Sequence, residues 1–255
     1  MTDVRVDAFG PRTRRSGRTG AARRPRVLAL LLAMAALGAG CSRAESDPPV
    51  ERSAGASSTD VAAPASEDAT PRIVFLGDSL TAGLGVAPAE AYPALLQERV
   101  RHAGLPHAVV NAGVSGDTSA GGLRRLDWSL KGRVEVLVVA LGANDGLRGL
   151  SPSDLDVNLG TIIERARGRG IAVLLAGMEA PPNLGASYTR QFRDVYSAVA
   201  KRYDVPLIPF LLTGVAGVPS LNQADGIHPN PQGHRIIADL MWRQLEPLLT
   251  SRQTQ

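Results

Sequence analysis

Short apolar runs recur along the chain at residues 73–76, 108–110, 134–141 and 171–176, with a weaker fifth at 205–210. They are rich in β-branched side chains and unbroken rather than alternating, the pattern of strands covered on both faces. Stretches with helical period separate them. Tyr92, Leu95, Leu96 and Val100 share one face, and Leu155, Leu159, Ile162, Ile163 and Ala166 share another. Phe192, Val195, Tyr196 and Val199 form a third, and Ile236, Ile237, Leu240, Met241 and Leu245 a fourth. Strand and helix in alternation predict parallel strands joined by right-handed crossovers. The expected fold class is therefore α/β, a three-layer α/β/α sandwich with a central parallel sheet.

The chain upstream of residue 72 has a different texture. Residues 1–26 hold eight arginines against two aspartates, a net of +6. Apolar and small residues then run without interruption from 27 to 39. As a helix this stretch spans about 20 Å, too short for a hydrocarbon core of roughly 30 Å. A positive stretch, a short apolar stretch and then small residues are the layout of a secretory signal, which predicts export to the periplasm or cell envelope. Cys41 closes the run in Leu37-Gly38-Ala39-Gly40-Cys41. This resembles a bacterial lipobox, whose cysteine is acylated, with Gly38 standing where a leucine is usual. Three fates are open: a lipid anchor at Cys41 that ties the protein to a membrane, soluble release by an ordinary signal peptidase, or retention as an uncleaved anchor. Residues 42–71 are rich in Ser, Ala, Pro, Asp and Glu and poor in large apolar side chains, which predicts a disordered tether. The expected organisation is a signal with a lipobox at 1–41, the tether at 42–71, one domain at 72–250 and a tail at 251–255.

Locating the charge changes the view of partners. The whole chain carries a net +4, but residues 72–255 hold 18 basic against 16 acidic side chains. The basicity belongs to the leader, and a nearly neutral domain argues against nucleic acid held through phosphate contacts. An aromatic content of 4 % also undersupplies a stacking platform for single strands. The single cysteine excludes an internal disulfide and any multi-thiolate metal site.

In parallel sheets chemistry gathers at the carboxyl ends of the strands, so the segments that come after each run matter most. The first run leads into Gly77-Asp78-Ser79-Leu80-Thr81-Ala82-Gly83. A serine leaving a strand into a turn presents its hydroxyl at the sheet rim, beside N–H groups suited to a developing oxyanion; it also suits a helix cap. After the second run come Asn111-Ala112-Gly113-Val114-Ser115-Gly116-Asp117-Thr118, where Gly113 lets a backbone N–H approach a reacting centre. The bland alternative is a glycine turn capped by Asp117 or Thr118. The third run leads into Gly142-Ala143-Asn144-Asp145-Gly146-Leu147-Arg148-Gly149, where Asn144 offers an amide donor that does not titrate, or an Asx-turn. Asp225-Gly226-Ile227-His228 precedes the last helix. Asp225 and His228 are three apart in a turn, so the carboxylate can orient the imidazole through Nδ1 and leave Nε2 free to face Ser79; the bland alternative is a turn aspartate beside a satisfied histidine. His102, His107 and His234 flank helix ends or polar surface without an acidic partner in a matching loop, and read as surface or core histidines.

With these four segments in one chain order, the chain resembles the SGNH (GDSL-type) hydrolase superfamily. The strings NAGVSGDTSAGGLRRL, LGANDGLRGL and DGIHPN are similar to one branch of it, the multifunctional acyl-CoA thioesterase/arylesterase/lysophospholipases of the Gram-negative periplasm. The resemblance implies a serine hydrolase without metal or cofactor, acting on small acyl esters or thioesters. It implies Ser79 as nucleophile, His228 as general base and Asp225 as its orienting partner. It further implies an oxyanion hole from the Ser79 and Gly113 backbone N–H groups and the Asn144 amide. The family's substrate-binding loop corresponds to Gly146, Leu147, Arg148, Gly149 and Leu150. Leu147, Leu150, Met178, Pro181, Pro182 and Leu184 suggest an acyl groove or, equally, packing under a loop. Arg148 suits an anionic head group or a surface carboxylate. Two other readings compete: a carbohydrate O-acetyl esterase of the envelope with a shallow polar pocket, and a non-catalytic substrate-binding lipoprotein.

Overall fold

The computed structural model describes residues 70–253. The expected leader, Cys41 and nearly all of the expected tether lie outside the described residues. Among the described residues five strands form one sheet: β1 (Arg72–Gly77), β2 (Ala108–Gly113), β3 (Val134–Ala140), β4 (Ala172–Ala176) and β5 (Leu207–Ile208). All pairings are parallel and the order is β2-β1-β3-β4-β5. The α-helices of the same residues are α1 (Ser79–Ala82), α2 (Tyr92–His102), α3 (Ser119–Arg124), α4 (Leu126–Ser129), α5 (Ala143–Leu147), α6 (Pro152–Arg167), α7 (Ala186–Tyr203) and α8 (Pro231–Gln253). Helix α2 packs with α8, and α6 packs with α3 and α7. Both groups contact the sheet, giving the α/β/α sandwich that the alternating pattern predicts.

The apolar runs are where the core is deepest. Ile73, Phe75 and Leu76 of β1, Val136–Val139 of β3 and Leu174–Ala176 of β4 are fully buried. The four periodic faces all turn inward, through Leu96 and Val100, Leu159 and Ile163, Phe192 and Val199, and Ile237 and Leu245. Helix α6 starts where Pro152 occupies its first turn, a position at which the missing N–H costs nothing. Strand β5 is only two residues long: the Gly177 N–H still donates to the Ile208 carbonyl, but the Gly177 carbonyl accepts from Leu211 rather than Phe210, and the regular ladder ends.

Three differences from the sequence expectation have local causes. Strand β2 continues past residue 110 to Gly113, because Asn111, Ala112 and Gly113 keep pairing with Phe75, Leu76 and Gly77. Asn111 is tolerated there because its amide is satisfied: Nδ2 donates to the Thr81 carbonyl at 2.8 Å and Oδ1 accepts from the Gly113 N–H at 2.9 Å. Helices α1, α3, α4 and α5 run for only four to six residues, too few for a periodic signal. Helix α8 continues to Gln253, past the expected domain end at 250. Among the described residues no helix is long and apolar enough to cross a membrane.

The strand order creates the crevice. Gly77, the last residue of β1, pairs with Gly113 on one side and Ala140 on the other. The chain leaves β1 between two neighbours whose own continuations diverge, so an opening forms at their carboxyl ends.

Candidate active site

Asp78 and Ser79 come directly after β1. Asp78 caps α1, its Oδ1 accepting from the Leu80 N–H at 3.0 Å. Ser79 is the first residue of α1, so its own N–H has no acceptor within the helix. The helix is held down from below, where Thr81 Oγ1 and the Tyr92 hydroxyl lie 2.7 Å apart in the core.

Ser79 and His228, 149 residues apart, meet with Oγ 2.9 Å from Nε2. On the far side of the ring, Nδ1 lies 2.7 Å from Asp225 Oδ2. An ionised carboxylate only accepts, so Nδ1 carries the proton and Nε2 is left to accept from the serine hydroxyl. Asp225 Oδ1 also accepts from the Ile227 and His228 N–H groups, each at 3.0 Å. These bonds, with that to His228 first, hold the Asp225 carboxyl down to about 2, so it is anionic at neutral pH. The loop is pinned to the serine side by Gln223. Its Nε2 donates to the Leu84 carbonyl at 2.7 Å and the Pro229 carbonyl at 2.9 Å, while its N–H donates to the His228 carbonyl at 2.8 Å.

Asn144 reaches the same crevice from α5. The preceding Gly142 adopts φ +115°, and a Cβ there would lie 2.0 Å from the Tyr196 hydroxyl, so only glycine lets the chain turn into α5 beneath that ring. One hydrogen of the Asn144 amide goes to the Asp117 carbonyl at 3.0 Å, which orients the group and leaves the other available.

Gly113 departs from its expected place. Its N–H is committed to Asn111 Oδ1, and it does not line the cavity beside Ser79. A glycine is required there for another reason: a Cβ would sit 2.3 Å from the backbone nitrogen of Ala82 and 2.8 Å from the Asp78 carbonyl oxygen. Gly113 is the spacer that lets β2 lie against α1. The cavity is lined instead by Ser115 and Gly116, the latter with φ +83° in a turn closed by the Asp117 N–H on the Val114 carbonyl at 3.1 Å. The residue missed was thus in the segment already singled out; the run Ser115-Gly116-Asp117, a turn signature, was the available signal.

Ser79, Asn144, Gly116 and His228 line one cavity of about 430 Å³. Leu147, Met178 and Pro181 line it as expected, whereas Leu150, Pro182 and Leu184 do not. Phe210, Leu212 and Ala216, on the segment after β5, complete the apolar wall. Gly146 and Leu147 lie within α5, and Arg148 donates to the Gly116 carbonyl at 2.9 Å rather than to any carboxylate.

The other histidines are structural. Buried His234 accepts from the Tyr92 N–H at 3.3 Å, and burial pushes its imidazole down to about 4. His107 differs from expectation: it is buried and its Nε2 lies 3.0 Å from Glu135 Oε2, an acidic partner brought by the sheet fold rather than by a nearby loop. It precedes β2, at the opposite end of the sheet from Ser79.

Residues 75–236 match the GDSL-like Lipase/Acylhydrolase family. The chain is 44 % identical over 178 residues to "Esterase TesA" of Pseudomonas aeruginosa, an alignment covering 69 % of this chain and 89 % of that protein. It is 40 % identical over 178 residues to "Thioesterase 1/protease 1/lysophospholipase L1" of Escherichia coli (strain K12), covering 69 % and 84 % respectively. The crystal structure of TesA superimposes with a TM-score of 0.67, covering 70 % of this chain and 99 % of that chain at 44 % identity.

Asp78 has an energetic signature of its own. Its Oδ2 is buried without a hydrogen-bond partner, and burial pushes the carboxyl up to about 6, against the Leu80 N–H bond that pulls it down. The folded protein therefore holds this proton more tightly than the unfolded chain, whose aspartate titrates near 3.8. The resulting stabilisation is complete below pH 3.8 and is lost as the pH rises through 6. Asp78→Asn keeps the cap acceptor and removes the titration. In denaturant melts, the stability of the variant relative to wild type is expected to improve by about 2 kcal/mol between pH 4 and pH 7. An unchanged difference across that interval contradicts the assignment.

Proposed function

The chain belongs to the GDSL-like Lipase/Acylhydrolase family and is an ester hydrolase, and on that premise we propose that it cleaves esters or thioesters of acyl chains through a covalent acyl-enzyme on Ser79. The observation that carries this reading is the unbroken series of contacts from Ser79 Oγ through the His228 ring to Asp225, opening onto an apolar cavity. Family membership sets aside the non-catalytic binding lipoprotein.

In the proposed mechanism the Ser79 Oγ bonds to the substrate carbonyl carbon while His228 Nε2 takes the hydroxyl proton. Asp225 holds the ring in the required tautomer and stabilises the imidazolium that forms. The tetrahedral oxyanion rests against three uncharged donors: the Ser79 N–H, the Gly116 N–H in place of that of Gly113, and the free hydrogen of Asn144 Nδ2. Each donor of this kind typically supplies about 10²–10³ in rate. The carbon–oxygen or carbon–sulfur bond to the leaving group then breaks and His228 protonates the departing alcohol or thiol. Water, deprotonated by His228, attacks the acyl-serine and regenerates the hydroxyl.

The wall of Leu147, Met178, Phe210 and Leu212 supports an acyl chain of several carbons over acetate, and so favours this reading over a glycan O-acetyl esterase. Residues 146–150 are proposed as a substrate-binding segment, with Leu147 against the chain. The leader at 1–41 supports export to the periplasm or envelope, with Cys41 lipidated and residues 42–71 tethering the domain to a membrane.

Ser79→Ala is expected to abolish both p-nitrophenyl ester hydrolysis and labelling by a fluorophosphonate probe; wild-type turnover in that variant removes Ser79 from the nucleophile's role. Across a series of p-nitrophenyl esters, kcat/KM is expected to rise from acetate toward medium chains, and a sharp acetate optimum would favour the glycan esterase. A fatty-acid analogue fed to expressing cells is expected to label the protein and not its Cys41→Ser variant; absence of label on the wild type ends the anchor proposal.

A further inference from the structure

A guanidinium behind the crevice joins the three segments that converge on it. Arg125 lies between α3 and α4, mostly buried, with 18 % of its side chain exposed. Its Nε donates to Asp117 Oδ2 at 2.6 Å, one Nη to the Ala112 carbonyl at 2.7 Å, and the other Nη to the Gly77 carbonyl at 2.7 Å. Each acceptor belongs to a different arm of the site. Gly77 ends β1 and leads through Asp78 into Ser79. Ala112 is the penultimate residue of β2 and leads into the turn that carries Gly116. Asp117 closes that turn through its N–H and receives the Asn144 amide on its carbonyl.

The chain also clears space for this arrangement. A Cβ at Gly121 would lie 2.5 Å from Asp117 Oδ1, so the glycine on α3 lets the carboxylate approach the guanidinium. Asp117 is only 18 % exposed, which makes the pair one of partly desolvated charges whose loss leaves the partner stranded. The planar fork of arginine presents donors at fixed angles to three acceptors at once; the ammonium of lysine cannot.

We propose that Arg125 is a positioning residue for the oxyanion hole: by bonding Gly77, Ala112 and Asp117 together it fixes the spacing among the Ser79 N–H, the Gly116 N–H and the Asn144 amide. It touches no reacting atom. This rests on the acyl-serine reading, because the donors it spaces are the ones that reading assigns. Their service depends on sub-ångström placement around a charge that exists only in the transition state, so misplacement lowers turnover more than substrate binding.

The test compares wild type, Arg125→Lys, Arg125→Ala and Asp117→Asn, with kcat and KM for a p-nitrophenyl ester, the rate of fluorophosphonate labelling at Ser79, and thermal melts. Displacement of this order costs about 10²-fold. Arg125→Ala is expected to lose about 100-fold in kcat with KM within about twofold of wild type, and to label at Ser79 correspondingly slowly. Added guanidinium ion is expected to restore part of the kcat of Arg125→Ala and none of that of Ser79→Ala. Arg125→Lys and Asp117→Asn, which keep most of the packing, are expected to fold, with melts somewhat below wild type, and to lose about tenfold or more in kcat. If Arg125→Ala does not fold, these two variants decide. Wild-type kcat and labelling rate in either folded variant overturn the positioning role, as does a loss confined to KM or to melting temperature. Failure of the wild type itself to label at Ser79 overturns the acyl-serine reading instead, so the two failures are distinct.

Discussion

Everything at the site depends on β1 having a parallel neighbour on each side. Because β2 and β3 both pair with it in register through Gly77, their carboxyl ends stop at the same height, and the segment after each strand is delivered to one place. Ser79 comes from the β1 end, Gly116 from the turn after β2, and Asn144 from α5 after β3. None of these segments has enough apolar surface to hold itself there. Their placement is inherited from the buried ladder of Ile73, Phe75, Val138 and Val139 beneath them and secured by a few polar bonds above it. The fold delivers the backbone, and the bonds of Arg125, Asn111 and Gln223 tie the delivered segments to one another.

The polar inventory divides according to that scheme. Bonds that hold geometry are fully made: Asp145, although buried, accepts from both the Ser119 N–H and hydroxyl, and Tyr196 donates to the Leu141 carbonyl. The carboxylate of Asp225 is richly bonded and half-exposed, so it stays charged at little cost. Asp78 is the contrary case, a buried carboxylate with one idle oxygen next to Ser79. Two neighbouring aspartates are thus driven in opposite directions from the ordinary carboxylate value, one by hydrogen bonds and one by desolvation.

The architecture was readable from the chain because continuous apolar runs and helical periods are strong, local signals. The same holds for Asp225 and His228, whose contact spans three residues and is written in one loop. Features that depend on neighbours in space were not legible in this way. The N–H of Gly113 is consumed by Asn111, a fact visible only once β2 is known to continue through those residues. The wall formed by Phe210 and Leu212 lies beyond a strand of only two residues, so its signal was faint. His107 acquires Glu135 only through the sheet, across 28 positions of chain. The short helices α1, α3, α4 and α5 are too brief for periodicity and are set by caps and tertiary contact.

The separation of 149 positions between Ser79 and His228 has a bearing on how the molecule assembles. The imidazole and its carboxylate come together by a local turn, a contact that closes rapidly and early. The hydroxyl reaches them across most of the length of the domain, a contact with a high loop-closure cost. Enzymatic turnover during renaturation therefore reports directly on closure of this long-range contact, which spectroscopic signals of helix and sheet do not.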